Sequence, residues 1–117
     1  MTGESTMLID ILGSKWQITK TTAELDDYLE EIAGYCDYTT RKIVVREEKE
    51  GNGVVRNLHI HMQKTIRHEI VHAFLFESGL STDSNETDAW ARNEEMVDWI
   101  AFQGPKIMEA WKYAGVM

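Results

Sequence analysis

The chain has 117 residues, a length that allows one domain, 1–117, with a single modest core and leaves no room for a separate substrate or regulatory domain. Apolar residues make up 43% of the chain and charged residues 27%, so it is expected to fold and not to remain disordered. Twelve basic and twenty acidic residues give a net charge of -8, which opposes direct binding to nucleic acid.

The cysteine content and the apolar patterning bear on the compartment. A single cysteine, Cys36, excludes an intramolecular disulfide and a zinc ribbon built from several cysteines, and it suits a reducing compartment. The first ten residues contain no basic segment followed by a long apolar run, so no signal peptide is expected. An apolar stretch of about 18 residues, which a membrane span would need, is also missing. We therefore expect a cytoplasmic protein with no membrane partner.

The first third of the chain is predicted to form a β-hairpin and a short helix. Two apolar runs on either side of Gly13–Ser14 predict two strands joined by a tight turn. The spacing of Leu25, Leu29 and Ile32 is typical of an amphipathic helix. Gly34 follows at the position where such a helix would end.

The middle of the chain is predicted to add a strand and a solvated loop. The segment 41–46 contains a β-branched run between polar residues and predicts a strand. The segment 46–57 alternates in charge and then supplies Gly51-Asn52-Gly53, which predicts a solvated loop, and a brief return strand is expected at Val54–Val55.

The second half is predicted to be helical. Helical spacing runs from Leu58 to a stop at Gly79, and the part 66–76 is apolar on nearly all sides, which indicates a helix packed into the core. A polar stretch, 81–88, precedes a further helix, and Gly104–Pro105 is predicted to end that helix and begin another. Three tryptophans of these late helices are interpreted as packing anchors, with a partner surface as the alternative: Trp90, Trp99 and Trp111.

One motif in the core helix carries chemistry. His68-Glu69-Ile70-Val71-His72 has the HExxH pattern, and residues four apart lie on one face of a helix. The imidazoles of His68 and His72 can therefore bind one Zn2+, with Glu69 beside them. Zinc lowers the pKa of a bound water toward about 7, so Glu69 is the predicted general base that accepts the proton of that water.

A catalytic zinc site needs a third protein ligand and an open position for water. Glu94 lies on the helical stripe that includes Val97 and Ala101, so it is predicted to face inward, where a metal would remove the cost of an unpaired carboxylate. Glu95 lies about 100° round the helix and remains the weaker candidate. Asp98, one turn after Glu94, could accept a hydrogen bond from a ligating histidine and fix its tautomer.

HEIVH, followed after 21 residues by Glu94-Glu95-Met96-Val97-Asp98, resembles the HExxH plus ExxxD pattern of gluzincin zinc metallopeptidases. The segment 67–80 is similar to small phage-type members of the ImmA/IrrE-type and SprT-like peptidases. The resemblance covers residues 57–103. It differs from the metzincin pattern, which would place glycine at Leu75 and histidine at Ser78.

The resemblance implies that zinc is bound by His68, His72 and Glu94. It also implies that Glu69 is the general base and acid, and that Asp98 supports one of the ligands. It also implies that a strand at the sheet edge, best matched by 42–46, holds an extended peptide substrate. The donor that would stabilise the oxyanion of the transition state is left open among four residues: Tyr35, Tyr38, His61 and Arg92. Cys36 is expected to be a small buried apolar residue without a chemical role.

These features together predict an α+β, zincin-like fold, in which a small twisted sheet packs on the HExxH zinc helix and a following glutamate helix. The predicted function is zinc-dependent hydrolysis of a peptide bond in a protein substrate. Two alternatives remain: a zinc-stabilised phage or mobile-element regulatory module that binds a protein without catalysis, and hydrolysis of a non-peptide amide by the same ligands. His2Glu ligation also accepts divalent ions other than zinc.

Overall fold

The computed structural model of the protein describes residues 4–47, 57–80 and 90–117. The strands in these ranges are β1 (Ser5–Ile11), β2 (Ser14–Thr21), β3 (Gly34–Asp37) and β4 (Lys42–Arg46). The long helices are α1 (Leu58–Glu77) and α2 (Glu94–Tyr113), and single 3₁₀ turns lie at Asp27–Glu30 and Trp90–Arg92. The return strand predicted at Val54–Val55 and the polar segment 81–88 lie outside the described residues. The described parts confirm an α+β fold.

The predicted hairpin is confirmed as β1 and β2. They pair in antiparallel fashion up to Ile11 and Ser14, so the turn consists of Leu12 and Gly13, one residue earlier than the sequence suggested. Both turn residues have positive φ, 51° and 90°, as a two-residue type I′ turn requires. The backbone N–H of Gly13 donates to the side chain of Asp10, 3.3 Å away, which further supports the turn.

The four strands form one mixed sheet in the order β1-β2-β4-β3. The predicted strand at 41–46 is confirmed as β4, which pairs in parallel with β2 and in antiparallel fashion with β3. β4 is therefore an inner strand, and the expectation that 42–46 forms the sheet edge is wrong. The edge strands are β1 and β3, and β3 is a strand that sequence patterning did not predict.

The helix predicted around Leu29 is wrong. Asp26 accepts a hydrogen bond from the backbone N–H of Tyr28 and starts a single 3₁₀ turn, in which Leu29 alone is buried. Leu25 and Ile32, the other two members of the predicted apolar stripe, are exposed. Pairing with β4 already begins at Ala33, and too few residues remain before it for a helix to extend.

The buried faces of the sheet and of α1 form the core. Its buried members are Ile11, Trp16, Ile18, Ile43, Val45 and Ala73. α1 also approaches β3 closely, because a Cβ at Gly34 would lie 3.1 Å from Cγ2 of Thr65 and 3.0 Å from the carbonyl oxygen of Val44. Glycine at position 34 thus permits tight packing of β3 against α1 and does not end a helix.

The break predicted at Gly104–Pro105 is absent, because α2 continues through Pro105. Proline has no N–H to donate to the carbonyl oxygen of Ala101, four residues earlier. The Nε–H of Arg67 on α1 donates to that oxygen instead, at 2.6 Å. A tertiary hydrogen bond therefore replaces the bond that the helix lacks.

Two of the predicted packing anchors are not in the core. The side chains of Trp99 and Trp111 on α2 are 57% and 51% exposed. The face of α2 that packs on α1 uses small residues instead, Val97 and Ala101, both buried. Among the described helices, none combines the length and apolar character that a membrane span requires.

Candidate metal centre

The two histidines of the HExxH motif lie on α1, which positions them one turn apart. Their ring centroids are 4.9 Å apart, and the ring planes are inclined at 67°. Both side chains are partly buried. Thr65 and Ala73, on the same helix, are buried and hold α1 against the rest of the fold, so the two imidazoles project from a fixed backbone.

α2 begins at Glu94 and brings its carboxylate to these imidazoles. The side chain of Asn93 accepts a hydrogen bond from the backbone N–H of Met96 at 2.8 Å, which fixes the first turn of the helix. Oε1 of Glu94 lies 2.9 Å from Nε2 of His68 and 3.0 Å from Nε2 of His72. Residues 26 and 22 positions apart in the chain thus meet at one point.

The environment of Glu94 differs from the sequence expectation. Its side chain is 73% exposed, so it does not lie among apolar residues as predicted. The reason is that Glu94 is the first residue of α2, at the mouth of a cleft, whereas the inward face of the helix begins at Val97. Partial burial raises the pKa of Glu94, but hydrogen bonds and charge from His72 and His68 outweigh it and hold that pKa below its ordinary value.

The three side chains form a cluster that could hold a metal ion, since their ligand atoms all lie within 4.8 Å of one another. Ligands about 2.0–2.1 Å from a tetrahedral metal are themselves roughly 3.4 Å apart, which is close to the observed separations. Two imidazole nitrogens and one carboxylate oxygen suit zinc and leave a fourth position open, but they also accept other divalent ions. Glu95 is not part of the cluster, and of the two glutamates the structure places only Glu94 there.

Glu69 lies between the two histidines in sequence and borders the same cleft. It is buried, and desolvation raises its pKa, an effect that the neighbouring His68 and His72 partly offset. A carboxylate with a raised pKa is a stronger base than an exposed glutamate. The position and environment of Glu69 therefore suit proton transfer.

Asp98 lies beside His68, as the sequence predicted. Its Oδ1 is 3.1 Å from Nδ1 of His68, and the same oxygen accepts a hydrogen bond from Nζ of Lys64 at 2.7 Å. The hydrogen bond from Lys64 is the main reason why the pKa of Asp98 is lowered. An ionised Asp98 can accept the Nδ1 proton of His68, which leaves Nε2 of that ring free to bind a metal.

A cleft of about 560 Å3 opens in front of these groups. Its lining combines apolar and aromatic side chains with ionisable groups. The residues that line it are Ile32, Gly34, Tyr35, Cys36, Tyr38, His68, Glu69, His72, Phe76, Arg92 and Glu94.

Three of the four candidate oxyanion donors border this cleft: Tyr35, Tyr38 and Arg92. The hydroxyl of Tyr35 donates to Asp26, and its pKa is raised by burial and by that hydrogen bond. The ring of Tyr38 stacks on Phe76, with centroids 4.7 Å apart. The fourth candidate, His61, is not among the residues that line the cleft. The cleft lining thus does not include His61, and the one hydroxyl proton of Tyr35 is already donated to Asp26, which leaves Tyr38 and Arg92 as the better placed candidates.

Cys36 also borders the cleft, and burial raises the pKa of its thiol to about 12. The neutral thiol form therefore prevails at neutral pH, as expected for a small apolar residue.

β3 borders the cleft as well, and it is the functional element that the sequence reasoning missed. The backbone N–H of Arg46 donates to the carbonyl oxygen of Ala33, so in this antiparallel pair every second residue of β3 faces β4. The backbone groups of Gly34 and Cys36 then point away from β4, and no described strand pairs with them. The aromatic, sulfur-containing run 35–38 after Gly34 is the signal that could have predicted this strand.

The chain matches no protein-family model, no curated protein and no solved structure.

Proposed function

We propose that the protein is a zinc-dependent peptidase of the gluzincin type, similar to the small ImmA/IrrE-type and SprT-like enzymes. The observation that carries this proposal is the position of Glu69, a buried carboxylate with a raised pKa beside the cluster of His68, His72 and Glu94. A purely structural metal site has no need for a second carboxylate that borders the cleft without being a ligand.

The proposed roles divide the chemistry among the residues present. His68, His72 and Glu94 hold the metal, and Asp98 orients His68. Zinc, when bound, supplies Lewis acidity that polarises a carbonyl and makes water a stronger acid. Glu69 accepts a proton from the attacking water and then donates it to the leaving amine, so one carboxylate acts first as base and then as acid.

The substrate proposed for this cleft is an extended segment of a protein. The backbone groups of Gly34 and Cys36, with which no described strand pairs, can pair with such a segment as an added strand, in place of the edge first expected at 42–46. The aromatic side of the cleft, formed by Tyr38 and Phe76, favours a large apolar side chain next to the bond that is cleaved.

The test compares the wild type with Glu69→Gln, His68→Ala and Glu94→Ala. Zinc content is measured by elemental analysis, and cleavage of a mixed library of synthetic decapeptides is followed by mass spectrometry. We expect about one zinc per chain in the wild type and in Glu69→Gln, and little in the other two variants. Glu69→Gln should lower the cleavage rate by roughly 10²–10⁴-fold, the usual contribution of a general acid–base group. Equal cleavage by zinc-loaded Glu69→Gln and wild type would refute the role of Glu69.

A second candidate function is a zinc-stabilised module that binds a protein without cleaving it. The exposed apolar side chains on α2, among them Trp99, Phe102 and Trp111, favour this alternative because such groups are enriched at protein interfaces. It predicts that the zinc-loaded wild type cleaves no member of the peptide library and that Glu69→Gln has no effect.

A further inference from the structure

Asp98 receives two hydrogen bonds on one oxygen. Oδ1 accepts from Nζ of Lys64 at 2.7 Å and lies 3.1 Å from Nδ1 of His68. Lys64 and His68 are four residues apart on α1, so both side chains reach α2 from the same face of that helix. The shared oxygen links the lysine to the candidate metal ligand through a single carboxylate.

The position of this carboxylate is not secured by packing. The side chain of Asp98 is 46% exposed, whereas that of Lys64 is only 27% exposed. A half-exposed aspartate can rotate toward solvent, and it would then no longer accept the Nδ1 proton of His68. The ammonium group of Lys64 opposes this rotation because it binds the very oxygen that His68 uses.

We propose that Lys64 is a positioning residue of the metal centre, which acts through Asp98 to hold His68 in the tautomer and orientation that bind metal. This inference rests on the proposed function, since it requires that His68 is a metal ligand. Groups that orient a metal-binding histidine usually contribute about 10–100-fold to metal affinity. Lys64 acts one step further away and is partly exposed, so its contribution should be smaller, roughly three- to tenfold.

The alternative is that Lys64 merely ties α1 to α2. The chain offers a matched control for this, because Arg67 also joins the two helices but does so through the carbonyl oxygen of Ala101 and does not contact Asp98. If Lys64 is only a structural tie, Lys64→Met and Arg67→Met should have the same effect on zinc affinity. If Lys64 positions His68, only Lys64→Met should weaken zinc binding.

The experiment measures zinc affinity by competition with a chromophoric chelator at pH 7, and stability of the metal-free protein by thermal unfolding. The variants are Lys64→Met, Lys64→Arg, Arg67→Met, Asp98→Asn and the double variant Lys64→Met/Asp98→Asn. We expect Lys64→Met to weaken zinc binding roughly three- to tenfold, and Lys64→Arg to stay within about twofold of the wild type. In the Asp98→Asn background, Lys64→Met should weaken binding no further. Arg67→Met should lower the unfolding temperature with zinc affinity unchanged.

Unchanged zinc affinity in Lys64→Met would overturn the inference. So would a loss of zinc affinity in Arg67→Met as large as that in Lys64→Met, or a Lys64→Met change that weakens zinc binding as much in the Asp98→Asn background as in the wild type. If Lys64→Met does not fold, Lys64→Gln takes its place in both backgrounds, with the same expected loss. Failure of the metal site on which the proposed function depends has a different signature: the wild type then binds zinc no more tightly than Glu94→Gln, and the inference falls with it. Failure of catalysis alone appears only as absence of peptide cleavage and leaves the zinc affinities of these variants as expected.

Discussion

Glu77, the last residue of α1, shows how one side chain fixes the end of a helix. Its carboxylate accepts hydrogen bonds from the hydroxyl of Ser14 at 3.1 Å, from Nε1 of Trp16 at 2.9 Å and from the guanidinium of Arg41. Trp16 is fully buried, so its indole N–H would have no access to water without this partner. The bond to Arg41, ahead of those to Trp16 and Ser14, holds the pKa of Glu77 below its ordinary value.

This lowered pKa predicts a pH dependence of stability. Folded protein binds fewer protons at Glu77 than unfolded protein does, so the contribution of Glu77 is fully present above the unfolded-state pKa of about 4.3. It is lost as the pH falls through the lower folded-state pKa. We expect Glu77→Gln to be less stable than the wild type at pH 7, with the two curves converging toward pH 3.

Urea unfolding at a series of pH values between 3 and 7 checks this prediction. Exposed Glu24→Gln is the matched control and should follow the wild type throughout. A constant stability difference between Glu77→Gln and wild type across this range would show that ionisation of Glu77 contributes nothing.

At the scale of an element, α2 illustrates a helix that tertiary contacts hold together. Pro105 removes one backbone hydrogen bond, and Arg67 from α1 supplies a substitute donor to the buried residue Ala101. The same side chain thereby joins the helix that carries the histidines to the helix that carries Glu94. Arg67 therefore supports the continuity of α2 at Pro105.

A double-mutant cycle tests this compensation. Arg67→Met leaves the carbonyl oxygen of Ala101 without a donor, and it should lower the free energy of unfolding by about 1–3 kcal/mol. In the Pro105→Ala background, the restored backbone N–H of residue 105 can donate to the carbonyl oxygen of Ala101. Arg67→Met should then lower the free energy of unfolding by only about 0.5 kcal/mol or less. The free energies come from urea unfolding of the four proteins, and equal costs in both backgrounds would contradict the compensation.

At the scale of the whole molecule, the candidate metal centre depends on two helices that are distant in sequence. α1 supplies His68 and His72, and α2 supplies Glu94, with its carboxylate at the mouth of the cleft. A metal bound by all three side chains would cross-link the two helices in the folded state. On unfolding the three ligands would separate, and the cluster would no longer hold the metal. Metal binding should therefore add to the stability of the fold.

Zinc at about 100 times its dissociation constant should raise the free energy of unfolding by about 2.7 kcal/mol. We expect addition of EDTA to remove this gain and to lower the unfolding temperature of the wild type. In Glu94→Gln, most of this zinc-dependent gain in the free energy of unfolding should be absent at the same zinc concentration. If calorimetry finds an equal gain in Glu94→Gln, the two histidines bind zinc without α2, and the cross-link is absent.

Some of this structure could be predicted from local sequence. The spacing of His68 and His72 places them on one face of any helix, and the β-branched segment 41–46 favours a strand whatever its partners. For Glu94, the third residue of the metal cluster, the sequence correctly predicted a position beside the two histidines. It wrongly predicted that the side chain lies among apolar residues, because that side chain is largely exposed. Its role as a zinc ligand, and the catalytic role of Glu69, stay predictions that the proposed experiments address.

Local sequence was enough for features set by neighbours within one helical turn or one hairpin, namely the paired imidazoles of His68 and His72 and, to within one residue, the turn between β1 and β2. Contacts between distant segments were needed to establish that Ala33 begins pairing with β4 and that β4 is an inner strand whereas β3 is an edge strand. The same holds for the hydrogen bond from Arg67 to Ala101 and for the one from Lys64 to Asp98. The physical reason is that local periodicity specifies which side chains share a face, whereas hydrogen bonds between distant segments determine which faces meet.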